Sequence, residues 1–164
     1  MWNQLVKEFS RTPSQAEVAK YMLETGIRQE GNKLFFEKVA ISHSQVAEAL
    51  GKDKRVVAAT VKTIKKNKRL YSIYSKLQPT CNLMNMAHDM GWGVICIELI
   101  NPNMPGTLGR VSTKLGDMKI SIRQAQCPAT ACDILYIITD NPITGDVITA
   151  LKDLKNVKTI KIFT

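Results

Sequence analysis

Residues 42–69, SHSQVAEALGKDKRVVAATVKTIKKNKR, decide the reading of the first half of the chain. Ser42 and Gln45 have the spacing of a capping box, which predicts a helix through Val46, Ala47 and Leu50 that stops at Gly51. Asp53 is placed to cap a second helix running to about Lys68. A short helix, a tight glycine turn and a longer basic helix form the layout of a helix-turn-helix. Ala47 is small where the two helices would cross, and Val57 and Val61 would pack back onto the first helix. At ~100° per residue, Arg55, Ala59, Lys62 and Lys66 fall within about 60° of one another, with Val57, Val61 and Ile64 opposite. One face is therefore apolar, and the other is basic with a small residue in its middle. A major groove needs such a face. Arg55, in the first turn beside Lys54, is placed to touch base edges. Lys62, Lys65, Lys66, Lys68 and Arg69 are read as phosphate contacts. Residues 52–69 hold eight Lys/Arg and a single acid, so sign-mixing i,i+4 pairs are nearly missing.

Upstream, Thr12-Pro13-Ser14-Gln15 reads as a helix start with Thr12 as cap and Gln15 completing a capping box. Val18 and Met22 mark the buried stripe, and Gly26 ends the helix. Glu30-Gly31-Asn32 is a turn signal between two strand-like runs, so a small hairpin is expected and the unit is read as a winged variant. Downstream, Tyr71, Tyr74 and Leu77 predict a connecting helix ending before Pro79, with the tyrosines as packing residues.

Charge follows the same division. Residues 1–78 carry 15 Lys/Arg against 7 Asp/Glu, a net of +8, whereas residues 79–164 carry 8 against 7, a net of +1. A basic half beside a neutral half points to a polyanion partner for the first and another task for the second. The 164-residue length suits two small domains, read as 1–78, a linker at 79–90, and 91–164. No apolar run approaches the ~20 residues of a membrane span, and the N-terminal residues lack a signal-peptide hydrophobic region, so a cytoplasmic location without membrane contact is expected. Cys81, Cys96, Cys127 and Cys132 lack metal-ligand spacing and are read as reduced thiols, with Cys96 in the core. Neither a metal nor a cofactor is expected. No phosphate-binding loop, nucleophile elbow or cluster of histidines and carboxylates is present, so the chain is read as a non-enzyme.

From Gly91 the periodicity changes. GVICIELIN reads as a strand, and Thr107 opens a helix with Leu108, Val111 and Leu115 on one stripe. Met118, Ile120 and Ile122 alternate into a strand reaching about Gln126. DILYIITD is a third strand, residues 142–154 a helix, and VKTIKIFT a closing strand. The order βαββαβ predicts a ferredoxin-like sheet with two helices on one face. The fold class is therefore α+β throughout. The loop Asn103-Met104-Pro105-Gly106-Thr107-Leu108 is the more specific signal. Gly106 lets backbone approach a ligand, and the following helix start offers N–H groups suited to the carboxylate of a free amino acid.

On these residues, 91–164 resemble the ACT-domain family: the Pro-Gly-x-Leu turn, the short strand at 119–126 and the alternating last strand all match. With VAEALGKDKRVV, LQPT and SIRQA, the whole chain resembles the archaeal group of presumed amino-acid-metabolism regulators that join an N-terminal helix-turn-helix to a C-terminal ACT domain. The resemblance implies a homodimer or higher even oligomer with an amino-acid effector at the dimer interface. It implies that Asn103 is the family's polar residue before Pro105-Gly106, that Gly106 and Thr107 offer backbone N–H groups, and that Ile120, Ser121 and Ile122 line the facing strand. The expected function is a transcriptional regulator that binds double-stranded DNA and answers to that effector. The alternative is an amino-acid-sensing adaptor that does not bind DNA and regulates an enzyme by contact, its basic half meeting an acidic protein surface.

Overall fold

A computed structural model describes residues 2–163, and the chain divides between Cys81 and Asn82 into two compact units. The first opens with a short helix, α1 (Trp2–Leu5), and a 3-10 turn (Val6–Phe9), followed by α2 (Pro13–Thr25). Pro13 stands at the start of α2, where its missing N–H costs nothing. Thr12 does not cap this helix. Its hydroxyl donates to Phe9 O (3.4 Å) across the preceding turn. Gln15 instead accepts a hydrogen bond from Thr63 (2.8 Å), tying α2 to a later helix. Gly26 closes α2 at a φ of 73°. A Cβ there would lie 2.4 Å from Pro79 N, so both the conformation and the space demand glycine.

The expected hairpin is present as β1 (Arg28–Glu30) and β2 (Lys33–Phe36). Glu30 pairs with Lys33, leaving Gly31-Asn32 as a two-residue turn with Gly31 at φ 58°. A third strand, β3 (Val39–Ile41), continues the antiparallel sheet in the order β1-β2-β3. The sequence reading stopped at two strands, because three residues are too few to show alternation.

Helix α3 (His43–Ala49) has the full capping box: Ser42 Oγ accepts from Gln45 N (3.2 Å), and Gln45 Oε1 accepts from Ser42 N (2.8 Å). The turn that follows places Gly51 at φ 60° and closes with Lys52 N donating to Ala47 O (2.9 Å). Helix α4 (Lys54–Lys66) is capped by Asp53, whose Oδ1 accepts from Arg55 N (2.7 Å). It ends before the expected Lys68. Asn67 breaks it in an extended conformation and caps α5 (Lys68–Tyr74), accepting from Arg69 N and Leu70 N. The core of this unit includes Val18, Met22, Leu34, Val46, Val57, Ile64, Leu70 and Tyr74. The Tyr74 hydroxyl donates to Ala19 O (3.0 Å), and burial pushes its pKa well above the ordinary range.

The second unit is βαββαβ, as expected: β4 (Gly93–Leu99), α6 (Thr107–Asp117), β5 (Ile122–Gln126), β6 (Ile134–Thr139), α7 (Gly145–Lys152) and β7 (Val157–Phe163). The sheet is antiparallel in the order β5-β6-β4-β7. Its core joins Ile95, Ile97 and Leu99 to Leu135 and Ile137, and to Val111, Leu115, Val147 and Leu151 of the helices. Leu108 lies outside this core at 47% exposure, because Thr107 takes the inward position in the first turn of α6. Ile120 and Ser121 precede β5 rather than belonging to it. Lys119 adopts φ 59°, and Ile120 N still donates to Leu115 O at the end of α6. Cys96 is buried, but on the sheet face away from the helices, since it alternates with Ile95 and Ile97. On that same face Ala87 covers Val94 and Ile138, with Leu83, Met84 and Trp92 packed around them. Among the described residues no helix is long and apolar enough to cross a membrane.

Candidate nucleic-acid interface and the loop after β4

Helix α4 divides its residues as its spacing requires. Val57, Thr60, Val61 and Ile64 are buried, and Lys54, Arg55, Lys62, Lys65 and Lys66 are exposed. Ala59 is only half-exposed, and the small residue open to solvent is Ala58. The basic face is therefore turned slightly towards the hairpin. Lys52, just before α4, stands where many helix-turn-helix units carry an apolar residue. It pairs with Glu17 of α2 (2.5 Å) while its side chain is only 19% exposed, so its stem packs between the helices.

Arg55 has an exposed side chain, yet it is not idle. Its Nε and Nη2 donate to Asp53 Oδ1 (3.1 Å) and Oδ2 (2.9 Å). These hydrogen bonds hold the Asp53 carboxyl at about 2, well below the usual carboxylate range. The capping aspartate thus fixes the guanidinium at the start of α4, in the plane of a bidentate pair.

The far end of α4 meets the hairpin turn. Lys65 Nζ donates to Asn32 Oδ1 (3.1 Å), and His43 Nε2 lies 3.1 Å from Asn32 O. The turn is fixed from beneath by Gln29, which is fully buried. Gln29 Nε2 donates both to Gly31 O and to Val61 O of α4, each at 2.9 Å. Gly31 N donates to the Tyr71 hydroxyl (3.0 Å). A cleft of about 540 Å³ results, bounded by Asn32, His43, Ala58, Val61, Lys62, Lys65 and Lys66. The sequence reading placed Lys62, Lys65 and Lys66 on this surface but not Gln29 or Asn32. The signal for Gln29 was available: it is a polar residue at an inward position of β1.

No known family's profile matches this sequence, and no curated protein matches it. Solved structures do. One is the crystal structure of PH0061, 12% identical, with 91% of this chain and 88% of that one covered at a TM-score of 0.28. Another is the structure of E. coli AsnC, 9% identical, with 74% and 78% covered at a TM-score of 0.26. Likeness of that degree brings neither an activity nor a partner to this chain.

In the second unit the loop after β4 is held by Asn156. Its Nδ2 donates to Asn101 O (2.8 Å) and to the Thr107 hydroxyl (2.9 Å), and its Oδ1 accepts from Asn101 N (2.7 Å). Asn101 Oδ1 in turn accepts from Asn103 N (2.9 Å), so Asn103 sits in a side-chain-closed turn. Thr107 completes the clasp by donating to Met104 O (3.0 Å). Gly106 adopts φ 76° ahead of α6. The group that comes close to it is the chain's own Arg110: a Cβ at Gly106 would be 3.2 Å from Arg110 Nη1. Arg110 Nη2 reaches towards Pro105 O and Thr107 Oγ1 (each 3.4 Å), while its buried Nε has no partner. Neither Asn156 nor Arg110 figured in the sequence reading.

Ile120 and Ile122 pack partly into the core, and Ser121 pairs with Asp140 through both backbone and side chain. The four thiols are unbridged, with Cys96 buried and Cys81, Cys127 and Cys132 exposed.

Proposed function

We propose that the first unit binds double-stranded DNA, with α4 entering the major groove, and that the chain is a transcriptional regulator of amino-acid metabolism. The observation that carries this reading is the single-sign face of α4: five exposed cations with Ala58 between them, borne on a helix whose opposite face is wholly buried. Arg55, preset by Asp53, is the base-reading group, and Lys54, Lys62, Lys65 and Lys66 neutralise phosphates. Half-exposed Ala59 flanks the groove-facing side without bulk.

The second unit, on this reading, joins chains into a homodimer or higher even oligomer and takes an amino-acid effector at Asn103, Pro105, Gly106, Thr107, Ile120, Ser121 and Ile122. Two features support it. The sheet face away from the helices leaves Tyr136 and Phe163 in ring contact (6.4 Å) with Phe163 49% exposed, a surface suited to a second copy. Arg110 at the Gly106 turn supplies the cation that an effector carboxylate needs.

The test is binding of a mixed-sequence duplex by the full chain across a range of salt. Steep salt dependence, and loss of tight binding in an Arg55→Ala, Lys62→Ala double variant, is the expected result. Unchanged binding by that variant removes α4 from the interface.

A further inference from the structure

We infer that the Gly31-Asn32 turn is itself a DNA-contacting element, and that with His43, Lys62, Lys65 and Lys66 it forms a seat for a backbone phosphate at the far end of α4. The inference rests on the proposal that α4 binds DNA, and adds to it a second contact point with its own residues.

The first ground is how firmly the turn is held. Hydrogen bonds from three helices converge on two residues: Tyr71 receives Gly31 N, Lys65 and His43 reach Asn32, and Gln29 anchors Gly31 O to Val61 O. A two-residue hairpin turn needs none of these to form. Holding it there leaves Gln29 Oε1 buried without a partner, a cost that ordinary packing does not explain. The turn is thus fixed at the edge of the basic face, a geometry suited to positioning donors rather than to letting a loop sample conformations.

The second ground is the chemistry of the cleft wall. Its polar residues are Asn32, His43, Lys62, Lys65 and Lys66, with no carboxylate among them. Asn32 O can only accept, so His43 presents Nε2–H to it. Asn32 Oδ1 is taken by Lys65, which leaves the Nδ2 hydrogens to donate, and Lys65 keeps two of its three N–H bonds. The wall has a surplus of donors and positive charge over a floor of Ala58 and Val61. An oxyanion satisfies that surplus, and a phosphodiester is the oxyanion that a DNA-bound α4 brings within reach.

The third ground is distance. Arg55 and Lys65 are ten residues apart on one helix, about 15 Å. Base reading at the first turn of α4 and a phosphate at the hairpin therefore occupy separate places on the duplex, and the seat fixes the angle at which the helix crosses the groove.

The experiment uses the full chain with a fluorescent mixed-sequence duplex, measuring affinity across a salt series and Tm for each protein. Asn32→Asp keeps an acceptor for Lys65 but sets a negative charge in the seat. His43→Gln keeps a donor for Asn32 O but removes the imidazole. Lys155→Ala changes net charge by the same single unit on the surface of the second unit. Asn32→Asp is expected to weaken DNA binding about ten-fold with a salt slope shallower by about one, and His43→Gln by about three-fold, at unchanged Tm. If both match Lys155→Ala in affinity while the wild-type chain binds DNA, the seat is overturned and the α4 reading stands. If the wild-type chain shows no salt-dependent DNA binding, both fall.

Discussion

Asn156 adopts φ 81° and uses its whole carboxamide on Asn101 and Thr107. Alanine at that position loses three hydrogen bonds and takes on a left-handed backbone. Asn156→Ala should destabilise the second unit by about 3 kcal/mol, read from urea unfolding, and Asn156→Gly should recover only the backbone part. Tyr74 gives a pH signature in the first unit. Its folded pKa is raised from 10.0, so the proton it keeps when folded is released on unfolding. Its stabilising effect is complete below pH 10.0 and is lost as pH rises above that. Tyr74→Phe should cost about 1 kcal/mol at neutral pH through the lost bond to Ala19 O, and it should flatten the decline of Tm in alkali. Tyr74 was legible in the sequence as a packing residue, and it is fully buried; Asn156 was not legible. Asn156 acts on residues 49 to 55 positions away, and no local pattern distinguishes it from a surface asparagine.

Helices and strands were legible where their signals are local. Ser42 with Gln45, Gly51 and Asp53 each act within four residues of themselves, and all three do in the structure what their spacing implies. The apolar run of β4 and the alternation of β7 were equally plain. Thr12 misled because a preceding turn, invisible as a pattern, engages its hydroxyl. Ala59 was set at the centre of the exposed face, but it is half-exposed and the fully open small residue is Ala58, because a helical wheel does not show how neighbouring elements cover a helix. The end of α4 was placed about two residues late, at Lys68, because Asn67 lies among cations and its capping role has no local signal there. Asn67 caps α5 with two hydrogen bonds and also donates to Glu8 (3.0 Å). Asn67→Ala should therefore lower stability by about 1 kcal/mol, measured by thermal unfolding, with loss of helical ellipticity from the α5 turn.

At the scale of the molecule, each unit has a core of its own, and the uneven charge lies in the first. Residues 82–164 expressed alone should fold, giving a cooperative thermal transition and mixed α/β circular dichroism; a non-cooperative melt would show that the second core is insufficient. The βαββαβ order was readable from periodicity because four strands and two helices each run long enough to show their period.

The division of α4 into a buried and an open side also bears on how such a chain can evolve. Val57, Thr60, Val61 and Ile64 carry the fold, and Arg55, Ala58 and Lys62 touch almost none of it. Substitutions on the open side alter what is recognised at little cost in stability, whereas substitutions on the buried side are removed by selection before recognition is tested. Descendants of this sequence can drift in target while keeping one scaffold. The hairpin turn, bound to both sides through Gln29 and Lys65, is the part of that surface least free to follow.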